Sequence, residues 1–135
     1  MQTNAVDYEL LFWNINTANL SECKQNPNSS QTNDVEWAGQ TCKMGWAVRG
    51  IWEAGMDGTD INAVDRSPDG SLIVSADDWG RVNLYRNPVG DNNLKTSYSN
   101  GHSSHVMASR FTLDGRHIIS AGGNDKTVLQ WAIDA

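Results

Sequence analysis

The sequence predicts an all-β chain built of repeated sheet units, and three observations predict it. The first is local. Runs rich in β-branched and aromatic residues at 106–111, 117–120 and 127–131 are separated by Leu113-Asp114-Gly115 and by Gly122-Gly123-Asn124-Asp125. Such runs favour strands, and the breaks are turn formers; Asp-Gly in particular suits a tight hairpin because Gly accepts positive φ. The second is repetition. Residues 60–85 match this pattern turn for turn, with Asp69-Gly70 and Ser75 each 45 residues before Asp114-Gly115 and Ser120. Tyr85 and Trp131 lie 46 apart, so the later copy carries one extra residue in its second turn. The third is the period itself: roughly 40–45 residues with several strands per unit is the signature of propeller blades.

In chain order, residues 8–15 (YELLFWNI) have an aromatic-apolar centre and read as the third strand of a blade, with Trp13 in the place of Tyr85 and Trp131. Residues 17–34 are polar, rich in Asn and Ser, and read as a long surface loop. Residues 35–43 are a second strand candidate. Residues 44–58, with Trp46 and Trp52, read as a linker that packs its aromatics on the sheets and then turns. Strands are expected at about 60–66, 72–76 and 81–86, with a fourth at 95–99 after the NPVGDNN loop. The last unit supplies strands near 105–112, 117–121 and 127–133. Residues 1–58 therefore hold the last two strands of one blade plus loops, 59–100 a complete blade, and 101–135 the first three strands of the next. Blades have four strands and rings typically four to eight blades. About two and a half blades leave open sheet edges that invite pairing. The expected partners are the remaining blades of a larger propeller or another protomer.

Composition narrows the function. With 135 residues and a net charge of −6, the chain has no Lys/Arg run of the kind that binds nucleic acid or an anionic membrane. No apolar run approaches the ~20 residues needed to span a bilayer, and residues 1–10 lack the basic start and apolar core of a signal peptide. Cys23 and Cys42 then read as reduced thiols of a cytoplasmic protein, Cys42 packing as a small hydrophobe.

Gly101-His102, then SPDG or TLDG, then ISAGGNDKTVLQW resemble WD repeats. The wider order of DYELLFWNI, WAGQTCKMGWAVRGIW, GMDGTDINAV, SADDWGRVNLY and GHSSHV resembles the C-terminal propeller of the echinoderm microtubule-associated protein-like family. The resemblance implies a partial WD-repeat β-propeller that binds protein rather than catalysing a reaction. Its implied partners are tubulin and microtubules, and its implied location the cytoskeleton. It also implies a structural hydrogen-bond network running from Trp131 through Ser120 and His102 to Asp125.

Other readings of the same residues are weaker. A Ser-His-Asp nucleophilic triad would need an exposed Ser and an oxyanion site, and Ser120 lies inside an apolar strand. His102, His105 and His117 lack a nearby Cys to close a zinc site; one suits the network and two the surface. Residues 57–60 superficially resemble a calcium loop but lack its later acidic ligands. There is no phosphate-cradling glycine motif and no cofactor is expected. In the earlier repeat Ser75 is kept, but Asp57-Gly58 or Thr59 stands where His is expected and Tyr85 where Trp is, so a full network is not expected there. Trp79, in the turn SADDWGR, reads as an exposed aromatic anchor or as a cover for the neighbouring loop. With Asp77, Asp78 and Arg81 as its charged rim it is the candidate protein-binding face. A generic scaffold for another protein or peptide would use the same face.

Overall fold

Extended runs bounded by turn formers pair wherever a neighbour satisfies their backbone polar groups. In the computed structural model, which describes residues 1–91 and 95–134 (95–98 as backbone only), they form three antiparallel sheets. The first is β1 (Gln2–Asn4), β2 (Leu10–Asn14) and β3 (Lys24–Asn26). The second, central sheet runs β4 (Ile61–Arg66), β5 (Leu72–Asp77), β6 (Arg81–Arg86) and β7 (Lys95–Asn100) in sequential order. The third is β8 (Val106–Phe111), β9 (His117–Gly122) and β10 (Val128–Ala132).

The two Asp-Gly hairpins are built alike. Gly70 and Gly115 take φ of 77° and 68°. Asp69 accepts from Ser67 Oγ at 2.6 Å and Ser71 N at 3.0 Å; Asp114 accepts from Thr112 Oγ1 at 2.5 Å and Arg116 N at 3.0 Å. The Ser67 hydroxyl, helped by Ser71, holds the Asp69 carboxyl down at about 2. Register shifts also fall at matching places, between Ile61 and Ala63 on β4 and between Val106 and Ala108 on β8. Each bulge bends the first strand of its sheet.

Two apolar layers sandwich the central sheet. On one side Ile61, Val64, Ile73 and Tyr85 pack with Val48, Ile51 and Val89. On the other, Val74, Ala76 and Val82 meet Val106 and Ile118 of the third sheet, with Phe111 and Trp131 at the margin. Strand β4 lies beside β8 without pairing to it, so the seam between the sheets is made by side chains. Burying each Val or Ile contributes about 1.5–3 kcal/mol. Polar ties close the seam: Asp65 Oδ2 accepts from Phe111 N at 2.9 Å, with Arg110 Nη1 3.4 Å from Asp65 Oδ1.

The N-terminal third departs from expectation. The first sheet has three strands where two were expected in residues 1–58. The short β1 supplies one, because Met1–Asn4 is long enough to pair with 10–13 across the turn at Tyr8. β3 falls inside the expected 17–34 loop, where Asn-rich turns hold a three-residue strand against β2. Conversely 35–43 is not a strand. Its groups are used singly: Trp37 stacks on Phe12, Cys42 Sγ meets Gln2 O at 3.4 Å, and Lys43 N donates to Asn4 Oδ1 at 3.0 Å. The expected 44–58 linker contains a 3-10 segment, Trp46–Ile51, that caps the central sheet. Val48 and Ile51 fill the core there, while Trp46 stays exposed beside Arg49. Residues 92–94, within the expected NPVGDNN loop, and Ala135 lie outside the described residues. Among the described residues no helix is long and apolar enough to cross a membrane.

The packing predicts a contrast in denaturant unfolding. Ile73→Ala, at a fully buried site, should cost about 2–5 kcal/mol. Leu113→Ala, at a residue 98% exposed in its hairpin, should change stability by less than about 0.5 kcal/mol.

Candidate functional site

The loop 101–105 joins the central sheet to the third, and three groups hold it. Trp131 Nε1 donates to Ser120 Oγ at 2.8 Å, and that hydroxyl lies 2.7 Å from His102 Nε2. His102 Nδ1 lies 2.8 Å from Asp125 Oδ2. Indole can only donate, so the Ser120 proton is free for His102 Nε2, which leaves Nδ1–H to the carboxylate. Thr127 Oγ1 donates to Asp125 Oδ2 at 2.9 Å, and Ser103 N reaches the same oxygen at 3.3 Å. Burial raises the Asp125 pKa, but bonds from His102, Thr127 and Ser103 outweigh it and leave it lowered. The structure thus brings together His102, Ser120, Asp125 and Trp131. Thr127, which sequence reasoning passed over, belongs to the same cluster; its signal was the turn Asp-Lys-Thr, where an Asp side chain bonds two residues on. Gly122 is required here, since a Cβ would fall onto the Asp125 carboxylate and within 2.7 Å of His102 Nδ1.

The central sheet solves the same position differently. Asp77 is fully buried and accepts from Trp79 N (2.9 Å), Arg81 N (3.1 Å), Arg81 Nε (2.8 Å) and Asn83 Nδ2 (3.0 Å). Asn83 Nδ2 also reaches Ser75 Oγ at 3.4 Å. Asp77 is therefore not part of the exposed rim expected from sequence: it lies fully buried beneath the turn, where those four donors satisfy its carboxyl oxygens. Asp78 also leaves the expected face. Its Oδ1 is 2.7 Å from both Asn62 Nδ2 and His105 Nδ1, and Asn62 Nδ2 reaches Val106 O at 3.0 Å. Asp78 thus ties the central sheet to the third. Gly80, at φ 77°, sits where a Cβ would be 2.5 Å from His102 O, so the two sheets touch backbone to backbone there.

Trp79 and Arg81 remain at the surface. Trp79 is 54% exposed, and the Arg81 guanidinium lies 5.2 Å from its ring centroid. Both line a cleft of about 470 Å³ together with Glu53, Met56 and Asn100. Asp77 holds Arg81, and the Arg81 guanidinium lies over the indole within cation–π range. His117 is half-buried on β9 and lies outside this arrangement. Among the described residues no group of three or more His, Cys, Asp or Glu converges as metal ligands would.

Antiparallel sheets set side by side, the central and third each starting on a bulged strand, with a Trp-Ser-His-Asp network behind the joining loop, define the class: a segment of a WD-repeat β-propeller. The family model described as the echinoderm microtubule-associated protein second beta-propeller matches residues 1–133. The chain belongs to that family. It is 45% identical over 133 residues to the 77 kDa echinoderm microtubule-associated protein of Strongylocentrotus purpuratus, and 45% identical over 131 residues to echinoderm microtubule-associated protein-like 2 of Rattus norvegicus. The matches cover 98% and 97% of this chain and 19% of each relative, so the chain spans about a fifth of their length. Among solved structures, the WD40 repeats of RRP9 superpose with a TM-score of 0.48 at 21% identity, over 70% of this chain and 25% of that one.

Two outcomes follow from this geometry. Ser120→Ala strands the buried His102 Nε2 and Trp131 Nε1 at about 1–3 kcal/mol each, so denaturant midpoints should fall, whereas Ser103→Ala, whose side chain bonds to none of these groups, should leave them unchanged. Tyr85 is held up at about 12 from 10, chiefly by burial. Its contribution is full below pH ~10 and is lost as pH rises through ~12, so a phenolate absorbance titration should show a tyrosine component, lost in Tyr85→Phe, that ionises near pH 12.

Proposed function

We propose that this chain is a non-catalytic, protein-binding propeller segment of a cytoskeletal, cytoplasmic microtubule-associated protein, and that it contacts tubulin through the face bearing Trp79 and Arg81. Residues 1–58, 59–100 and 101–135 are read as successive blades of that propeller. The observation that carries the reading is the braced, half-exposed Trp79 at the mouth of a cleft. Trp and Arg dominate interface hot spots, and a side chain ordered beforehand lowers the entropy cost of binding. Family membership supplies the partner class, since the relatives are microtubule-associated proteins. The Ser120-His102-Asp125 chain supports a structural role. Ser120 is fully buried, and its oxygen accepts from Trp131, so no substrate carbonyl reaches it.

Cosedimentation with assembled microtubules, and comigration with soluble tubulin, test the reading. The chain should bind at micromolar concentration, and Trp79→Ala should weaken binding about tenfold or more without changing the melting temperature. No binding to either form removes tubulin and leaves a scaffold for another partner. Binding unaffected by Trp79→Ala discards the face.

A further inference from the structure

A second cleft lies next to the first and shares Met56 with it. It has a volume of about 270 Å³ and is lined by Tyr8, Met44, Trp52, Met56 and Asp57. Its walls come from three places in the chain. Tyr8, at φ 68°, is 64% exposed, and its phenol oxygen accepts from Gly58 N at 2.9 Å. A Cβ at residue 58 would press on the Tyr8 ring at 2.7 Å, so Gly58 is what lets the ring lie against the turn. Trp52 spends its N–H on Lys43 O at 2.9 Å and so presents only ring to the cleft. The two methionines add soft walls that adapt to different shapes. The space is smaller than a drug-sized pocket and suits one large apolar side chain.

The rim is acidic. Asp7 and Glu9 flank Tyr8 in sequence and are exposed. Asp57 stands at the mouth, with Asp60 bonded to its backbone N–H at 2.8 Å. Lys43, beside Met44, is the nearby cation. Bonds from the Thr59 hydroxyl and backbone hold the Asp57 carboxyl below the usual range, so it stays charged. Potential complementarity favours a basic partner over an acidic one, and the chain's net charge of −6 acts in the same direction.

We propose that this cleft docks a basic peptide segment by one large apolar side chain seated between Tyr8, Met44, Trp52 and Met56, with a flanking Lys or Arg facing Asp57. The site is distinct from the Trp79 face and does not depend on tubulin binding there.

The test is fluorescence anisotropy of a labelled peptide with Phe flanked on each side by Lys and Arg. The Phe peptide binds the 135-residue chain, and binding weakens as salt rises. Replacing its Phe with Ala weakens binding about 10- to 100-fold, and replacing the basic flanks with Glu abolishes it. Met44→Arg, which fills the cleft and reverses its charge preference, removes binding with the melting temperature retained. Asp57→Asn, at an exposed position, weakens it several-fold and serves if Met44→Arg fails to fold. Trp79→Ala leaves it unchanged, which separates this site from the tubulin face. Equal binding of the Phe and Ala peptides, tighter binding of the Glu-flanked peptide, or unchanged binding by the folded cleft variants would overturn the proposal. So would a concentration-dependent dimer lost in Met44→Arg without peptide binding, which would assign the cleft to a second copy of the chain.

Discussion

The hydrogen bond between Ser120 and His102 is the constraint on which the arrangement of the sheets depends. It fixes an imidazole with no exposed side-chain surface at the start of the loop 101–105. The loop in turn presents the His102 carbonyl to Gly80 and the His105 ring to Asp78. Both contacts reach across to the central sheet. Were the imidazole free to rotate, the loop would lose its reference point and the seam would rest on apolar packing and on the ties that Asp65 and Asn62 make to the third sheet. Apolar packing is strong but not directional; hydrogen bonds between buried groups supply the angle at which two sheets meet.

The two repeats satisfy this need with different chemistry. In the third sheet, a chain of hydrogen bonds ends on a carboxylate that four groups hold in place. In the central sheet, a buried carboxylate moves inward to Asp77, and a guanidinium from the same turn neutralises it. The exchange has a structural consequence. Arg81 is anchored by Asp77 and lies over the Trp79 ring at the mouth of a cleft. A structural ion pair and the proposed face therefore share one side chain, while the corresponding turn of the third sheet, with Lys126 at φ 53°, carries no aromatic.

Much of the fold was legible because the repeat is. Turn residues with fixed offsets, and Ser75 and Ser120 at the same point of corresponding strands in the two repeats, mark the hairpins directly, and strand ends in residues 60–132 fall within a residue or two of those expected. The N-terminal third was not legible for a physical reason. β1 and β3 are three residues each, too short to carry a period, and exist only because β2 lies between them. The stretch at 35–43 has strand-like composition but is not paired as a strand, and its groups meet β1 and β2 one by one. In the site, Asp77 and Asp78 are adjacent and chemically identical in sequence. Asp77 ends β5 and points inward, while Asp78 begins the turn and reaches the neighbouring sheet, and the pattern of acids alone does not say which does which.

What the sequence by itself determined is the set of units: strand-forming runs, Asp-Gly turns whose glycines must take positive φ, and a recurring period that demands stacked sheets. These are local properties, readable wherever a residue's preference is met by its immediate neighbours. What only the tertiary structure decided is the roles of residues whose partners lie far along the chain. Asp65 meets Phe111, Tyr8 meets Gly58, and His105 meets Asp78. Burial and charge pairing depend on which surfaces face each other, and that is settled only when the sheets dock.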